Sequence, residues 1–82
     1  MDNSNILISN LNKLHTTKMG IDRIKRNLEL DVEDVVYLCK EKINKENSLI
    51  YKRGKNWYIE IDGVIITVNA HSYTIITAHK MK

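Results

Sequence analysis

The sequence contains no proline and no phenylalanine, and it has one cysteine and three glycines in 82 residues. A single cysteine, Cys39, excludes an internal disulfide and a multi-cysteine zinc site, and we expect it to be a small buried hydrophobe. No long apolar run is present, so no segment is expected to span a membrane. With 43% hydrophobic and 28% charged residues, the chain is predicted to form one small globular domain over residues 1–82.

Several common signals of targeting and catalysis are also missing. The first five residues lack the basic segment of a secretory signal, and the apolar stretch that follows is too short for one. The cytoplasm is therefore the predicted location. The sequence has no phosphate-binding glycine loop, no Cys/His metal spacing and no serine elbow. We therefore predict no cofactor and no metal ion.

Positive charge is concentrated in the C-terminal half of the chain. Residues 1–46 contain eight basic and eight acidic residues, whereas residues 47–82 contain five basic residues against Glu60 and Asp62. The whole net charge of +3 therefore comes from the second half. A basic half favours an anionic partner such as RNA, DNA or an acidic protein. The alternative is that +3 is an ordinary charge for a soluble domain.

Apolar residues in the first half recur at helical spacing. They predict three helices, over residues 5–15, 21–28 and 32–45. Asp31 is expected to cap the third helix, because its side chain precedes the apolar stripe. Thr17 and the threonine before it are the simplest caps for the second helix. These helices together form the predicted helical half of the domain, residues 1–46.

From Leu49 onward the apolar period changes from 3.6 to 2, which is typical of strands. Asp62-Gly63 predicts a tight type I′ hairpin that pairs Ile61 with Val64. The predicted fold class is α+β, with N-terminal helices packed on one face of a C-terminal four-stranded antiparallel meander over residues 49–79. The helix-facing side chains are expected to be Trp57, Ile59, Ile61, Val64, Ile66 and Val68. The opposite face is expected to be polar and partly open.

Three long segments resemble an uncharacterised bacterial family of domains of unknown function. They are LHTTKMGIDRIKRNL at 14–28, GKNWYIEID at 54–62 and ITVNAHSYTIITAHK at 66–80. This resemblance covers nearly the whole chain and implies no established activity. More remotely, the order of helices followed by a sheet is similar to barnase-like, EndoU-like, colicin-type and RelE-like ribonuclease toxins. That resemblance implies an open sheet face that cleaves RNA.

A metal-independent ribonuclease is the first functional hypothesis. Such a site needs a base for the ribose 2′-hydroxyl, an acid for the leaving oxygen and cations for the phosphate. His15, Arg23, Glu60 and Thr77 are the candidate catalytic residues, and His79 is a further proton carrier. The alternative for His15 is a helix C-cap, and the alternative for Glu60 is a solvated strand residue.

A non-catalytic binding module is the second hypothesis. The basic half and the polar sheet face would then bind nucleic acid, or an acidic protein, without chemistry. The candidate nucleic-acid-binding residues are Arg26, Arg53, Lys55, Tyr58, Thr67, Asn69 and Thr74. A homodimer through the last strand or through the open sheet face is a further prediction, because the strand over 73–78 has high β-propensity and no charge.

Overall fold

Helices occupy the N-terminal half of the chain and a four-stranded sheet occupies the C-terminal half. The computed structural model describes residues 3–29 and 31–81. The elements are α1 (Asn3–Ser9), a 3-10 turn (Leu11–Lys13), α2 (Lys18–Leu28), α3 (Val35–Ile43), β1 (Leu49–Arg53), β2 (Asn56–Ile61), β3 (Val64–Asn69) and β4 (Ile75–Lys80). This order confirms the predicted α+β class. Among the described helices, none has the length and apolar character needed to cross a bilayer.

The sheet is an antiparallel meander with strand order β1-β2-β3-β4. Asp62 and Gly63 have φ values of 52° and 75°, as a type I′ turn requires at both central positions. This turn sets the register, which pairs Ile61 with Val64, Ile59 with Ile66 and Trp57 with Val68. All six of these side chains are buried, so both the predicted register and the predicted core face are confirmed.

The helices cover that apolar face of the sheet. α1 packs against β1, α2 against β4, and α3 against both α2 and β2. Leu7, Ile24 and Ile43 carry the contact, and each is 1% exposed or less. Burying an aliphatic side chain of this size stabilises a fold by about 1.5–3 kcal/mol. The helical half is therefore held mainly by burial against the sheet.

The prediction of one helix over residues 5–15 is wrong. α1 ends at Ser9, and after the 3-10 turn the chain becomes extended at His15. His15 pairs in parallel with Thr74: its N–H donates to the Tyr73 carbonyl at 3.3 Å, and its carbonyl accepts from Ile75 N at 2.7 Å. The chain leaves the helical conformation here because the edge of the sheet supplies partners for these backbone groups.

The start of the third helix also differs from the prediction. Asp34, and not Asp31, is the N-cap, and its Oδ1 accepts from Tyr37 N at 2.9 Å. Val32 lies before the helix and packs against the core, which leaves the next aspartate, Asp34, to cap. The second helix begins earlier than predicted, at Lys18, and Thr17 is confirmed as its cap.

The last strand runs over Ile75–Lys80, two residues later than predicted. A bulge displaces its register, so that Val68 pairs with Ile75 whereas Thr67 pairs with Thr77. Just before β4, Tyr73 has a left-handed φ of 61°, which costs a non-glycine residue about 1–2 kcal/mol. The Tyr73 ring packs on Trp57 with centroids 5.3 Å apart, and this burial offsets the cost.

Gly20 allows a close approach between α2 and the segment that precedes it. A Cβ at Gly20 would collide with Thr16 Oγ1. That hydroxyl donates to the Ile75 carbonyl at 2.8 Å in a partly buried position. Gly20 therefore leaves room for a hydrogen bond that ties the start of α2 to the start of β4.

We expect Gly20→Ala to destabilise the protein by about 1–2 kcal/mol, because Thr16 must turn away and leave the Ile75 carbonyl without its partner. The higher helix propensity of alanine, about 1 kcal/mol, offsets part of the loss. In a Thr16→Ala background the same glycine substitution should be neutral or stabilising. Urea unfolding of all four chains measures the coupling. Equal costs in both backgrounds would show that the Thr16 contact is not the cause.

Cys39 is 1% exposed in α3, which confirms the prediction of a small buried hydrophobe. Burial raises the pKa of its thiol to about 11, although Lys42 acts in the opposite direction.

We therefore expect the Cys39 thiol of the folded protein to resist an aromatic disulfide reagent at pH 8 for hours, and to react within minutes in denaturant. Rapid labelling without denaturant would contradict the buried placement of this thiol.

Candidate functional site

Two turns meet at one end of the sheet. In a meander the first and third turns lie at the same end, and here the Ala70 N–H donates to the Lys55 carbonyl at 2.8 Å to join them. Between them lies an open groove of about 690 Å³. Its lining residues are Lys52, Gly54, Lys55, Asn69, Ala70, His71 and Ser72. This groove is the candidate site, and we call it the turn groove.

The turn between β1 and β2 supplies positive charge to the turn groove. Gly54 has a φ of 63°, which suits the first central position of a type II′ turn and favours glycine there. Lys52, Arg53 and Lys55 around this turn are all exposed. None of the three forms an ion pair in the described part of the chain, and no carboxylate lines the groove. The turn groove is therefore basic.

The turn between β3 and β4 is organised by Asn69. Its Oδ1 accepts from the backbone N–H groups of His71 and Ser72, each at 2.9 Å. Its backbone accepts from Tyr73 N and donates to the Thr74 carbonyl, both at 2.9 Å. The side-chain oxygen of Asn69 is thus used to shape the wall of the groove.

A chain of side-chain hydrogen bonds leads from this turn to His15. Ser72 Oγ and Thr74 Oγ1 lie 2.7 Å apart, and Thr74 Oγ1 lies 3.1 Å from His15 Nε2. His15 Nδ1 lies 2.9 Å from the Lys13 carbonyl, which can only accept, so Nδ1 carries the proton. In the neutral ring Nε2 then accepts from Thr74. His15 therefore holds the segment before α2 against the β3–β4 turn.

The open face of the sheet carries an aromatic pair next to the groove. Tyr51 and Tyr58 stack with centroids 5.7 Å apart and rings inclined by 22°. The Arg53 guanidinium lies 5.8 Å from the centroid of the Tyr51 ring. The Tyr51 hydroxyl donates to Glu60 at 3.0 Å, and this hydrogen bond raises the pKa of the Tyr51 phenol. Glu60 therefore has a partner within the sheet.

The structure does not bring the four candidate catalytic residues together. His15 is bonded to Thr74 and Glu60 to Tyr51, while Thr77 Oγ1 accepts from an asparagine of α2 at 3.2 Å. Arg23 lines a separate shallow groove of about 220 Å³ on α2. Within residues 3–29 and 31–81, no hydrogen bond or ion pair joins any two of the four. The further proton carrier, His79, is exposed on β4.

The candidate nucleic-acid-binding residues divide into four groups. Lys55 and Asn69 line the turn groove, and Thr74 is bonded to its wall through Ser72. Arg53 and Tyr58 lie beside the groove on the open face. Thr67 is buried on that face between its cross-strand neighbours Tyr58 and Thr77, and Arg26 lies with Arg23 in the shallow groove on α2.

Sequence reasoning missed Lys52, His71 and Ser72 as members of one site. The signal was present, because a meander necessarily places its first and third turns at the same end of the sheet. Charge singles out Arg53 and Lys55 of the first turn and polarity singles out Asn69 of the third, but neither pattern shows that the two turns adjoin. The described residues contain no group of three or more histidine, cysteine or carboxylate side chains that could hold a metal ion.

Comparison with known proteins identifies a family without identifying an activity. No curated protein and no solved structure matches the chain, so the remote resemblance to ribonuclease toxins gains no support. A family model with the description Protein of unknown function (DUF3781) matches residues 8–79. That match includes α2, α3 and almost the whole sheet, together with all but the last residue of the three segments on which the first resemblance rested. The chain therefore belongs to the DUF3781 family of proteins of unknown function.

Proposed function

We propose that this protein binds single-stranded nucleic acid in the turn groove and does not cleave it. The observation that carries the proposal is the composition of that groove. Lys52 and Lys55 stand on one side and His71 on the other, with no carboxylate among the lining residues. Polar groups of Asn69 and Ser72 line the same side as His71. Cations and polar donors around an open groove are the usual partners of a phosphate backbone.

The charges elsewhere on the protein support this location. Lys42 and Lys45 lie 3.1 and 2.7 Å from Asp62, and Lys80 lies 2.7 Å from Glu29. These contacts lower the pKa of both carboxyl groups, so that three ammonium groups face two carboxylates at the opposite end of the sheet. Positive charge without an ion pair in the described residues also lies on α2 at Arg23 and Arg26, but Asp22 lines their groove, whereas no carboxylate lines the turn groove. A phosphate chain bound there would release counterions and gain affinity.

The aromatic pair favours a single strand over a duplex. Tyr51 follows next to Lys52 of the groove in β1 and pairs with Tyr58 of β2, and both rings lie on the open and partly accessible face. Unpaired bases stack on such rings, and each stacked base contributes about 1–3 kcal/mol to binding. Bases inside a duplex do not expose their faces for this contact. The Arg53 guanidinium beside Tyr51 can contact the phosphate that joins two stacked bases.

The hydrogen bonds of the candidate catalytic groups support binding rather than cleavage. A general base must lie within hydrogen-bond reach of the proton that it removes. His15 Nε2 already accepts from Thr74, and Glu60 already accepts from Tyr51. Both groups therefore have structural partners in place of a substrate. The ribonuclease hypothesis would need these two contacts to break when RNA binds.

We expect Lys55→Gln to weaken binding of a fluorescent 12-residue oligouridylate about three- to tenfold at low salt, because one phosphate contact is lost. The slope of log affinity against log salt should fall by about 0.7. Arg26→Gln removes the same charge from α2 and should change neither quantity. Fluorescence anisotropy measures both, and an oligodeoxythymidylate of equal length compares RNA with DNA.

Absence of binding by the wild type at low salt would overturn the proposal, as would equal losses in the two variants. The RNA should remain full-length on a denaturing gel. If it is instead cut by the wild type and left intact by His15→Ala, the ribonuclease hypothesis replaces this one.

Asn69→Asp changes the charge of the turn groove and preserves its shape. The carboxylate keeps an oxygen that can accept from His71 and Ser72, so thermal stability should be nearly unchanged. The new negative charge should weaken oligonucleotide binding about tenfold through repulsion of phosphate. Asn69→Ala, which removes the acceptor, should lower the unfolding free energy by about 1–2 kcal/mol. Unchanged affinity in the aspartate variant would place the ligand elsewhere.

A further inference from the structure

The two edges of the sheet differ in what covers them. The outer edge of β4 is occupied where His15 pairs with Thr74 and Thr16 donates to Ile75, and α2 packs along the rest of the strand. β1 is the other edge, and its residues bond only to β2 within the described chain. An edge strand of five residues with unpaired backbone groups is a template for another strand.

Apolar side chains lie next to this uncovered edge. Leu49 at the start of β1 is 57% exposed, and Ile8 of α1 is 39% exposed. Together with Ile50 they line a groove of about 460 Å³ between α1, the end of α3 and β1. The uncovered backbone and the uncovered apolar surface are therefore contiguous, and one partner can cover both.

We infer that this partner is a second copy of the chain, paired through β1 in antiparallel orientation about a two-fold axis. In the β1–β2 hairpin Arg53 pairs with Asn56 next to a two-residue turn, so alternate residues of β1 bond to β2. The backbone N–H and C=O groups of Ile50 and Lys52 therefore point away from β2, toward the free edge of the sheet. A two-fold axis through Tyr51 places Ile50 of each copy opposite Lys52 of the other. The outward N–H groups of one strand then face the outward C=O groups of the second.

The charges of β1 fit this register. Lys52 lies opposite Ile50 and Arg53 lies opposite Leu49, so no two like charges face each other across the axis. Glu46 lines the groove at the start of β1 and makes no ion pair in the described part of the chain. The antiparallel arrangement brings it to the basic end of the second copy. The Glu46 carboxylate of each copy thus meets the basic turn of the other, once on each side of the axis.

The proposed dimer has an eight-stranded sheet and covers Ile8 and Leu49 of both copies. Its contact is short, since five residues of each strand pair. Interfaces of this size are typically of modest affinity, and we expect a dissociation constant of about 1–100 μM.

Site-specific cross-linking tests the register. Tyr51→Cys places two thiols in a non-hydrogen-bonded pair with Cα atoms about 4.5 Å apart, within the range that a disulfide spans. Mild oxidation should convert most of the protein to a covalent dimer on a non-reducing gel. Tyr58→Cys lies on the same face of the inner strand β2 and should remain monomeric. Equal cross-linking in the two variants would overturn the register.

Sedimentation equilibrium of the unmodified chain tests the dimer itself. The mass should rise from 9.6 kDa toward twice that value as concentration increases through the micromolar range. Glu46→Lys should weaken association at least fivefold. Glu33→Lys changes the net charge equally at the other end of α3 and should leave association unchanged. A monomer at all concentrations up to 1 mM overturns the proposal, and the partner of the β1 edge is then a different protein. An equal effect of the two lysine variants on association overturns the role of Glu46.

Discussion

The parallel pairing between His15 and Thr74 is the contact on which the rest of the structure depends. It joins two segments that are 59 residues apart and connects the helical half directly to the last strand. The same segment places Thr16 against Ile75 and positions Thr17 to cap α2. Without it, α2 would have no fixed starting point on the sheet, and Leu14, Ile24 and Leu28 would lose their common packing surface.

This junction also shapes the candidate site. His15 Nε2 accepts a hydrogen bond from the hydroxyl of Thr74, and the same hydroxyl contacts Ser72 in the wall of the turn groove. Tyr73, held between Trp57 and the Lys13 ammonium, keeps its left-handed backbone in this position. The β3–β4 turn is thus supported from behind by the segment before α2. A rigid polar wall opposite Lys52 and Lys55 is what makes the end of the sheet suitable for a charged ligand.

Local signals predicted the parts of the fold that depend on neighbouring residues. The Asp62-Gly63 turn and the alternation on both sides of it determine the central hairpin, since each residue there pairs with one close in sequence. The helix ends were predicted less well, because His15 obtains its backbone partners from a distant segment and Val32 packs against the core. The bulge in β4 has the same origin. It accommodates Tyr73 and the pairing with residue 15, neither of which is visible in the local pattern.

The candidate site was predicted in part for a related reason. Arg53, Lys55 and Asn69 were identified from charge and polarity, and the topology of a meander brings their turns together. Arg23 and Arg26 had an equally basic pattern but lie on the outer surface of α2, because Ile24 and Leu28 direct the opposite face of that helix into the core. Charge patterns alone do not distinguish these two surfaces; only the packing of the helix does.

The most direct test of the proposed site is a residue-resolved titration. Backbone amide resonances of the ¹⁵N-labelled protein should be followed while a short oligouridylate is added at low salt. The proposal predicts that the largest shifts occur at residues 52–55 and 69–72, with smaller shifts at Tyr51 and Tyr58. Shifts confined to α2 around Arg23 and Arg26, or none at all, would contradict it.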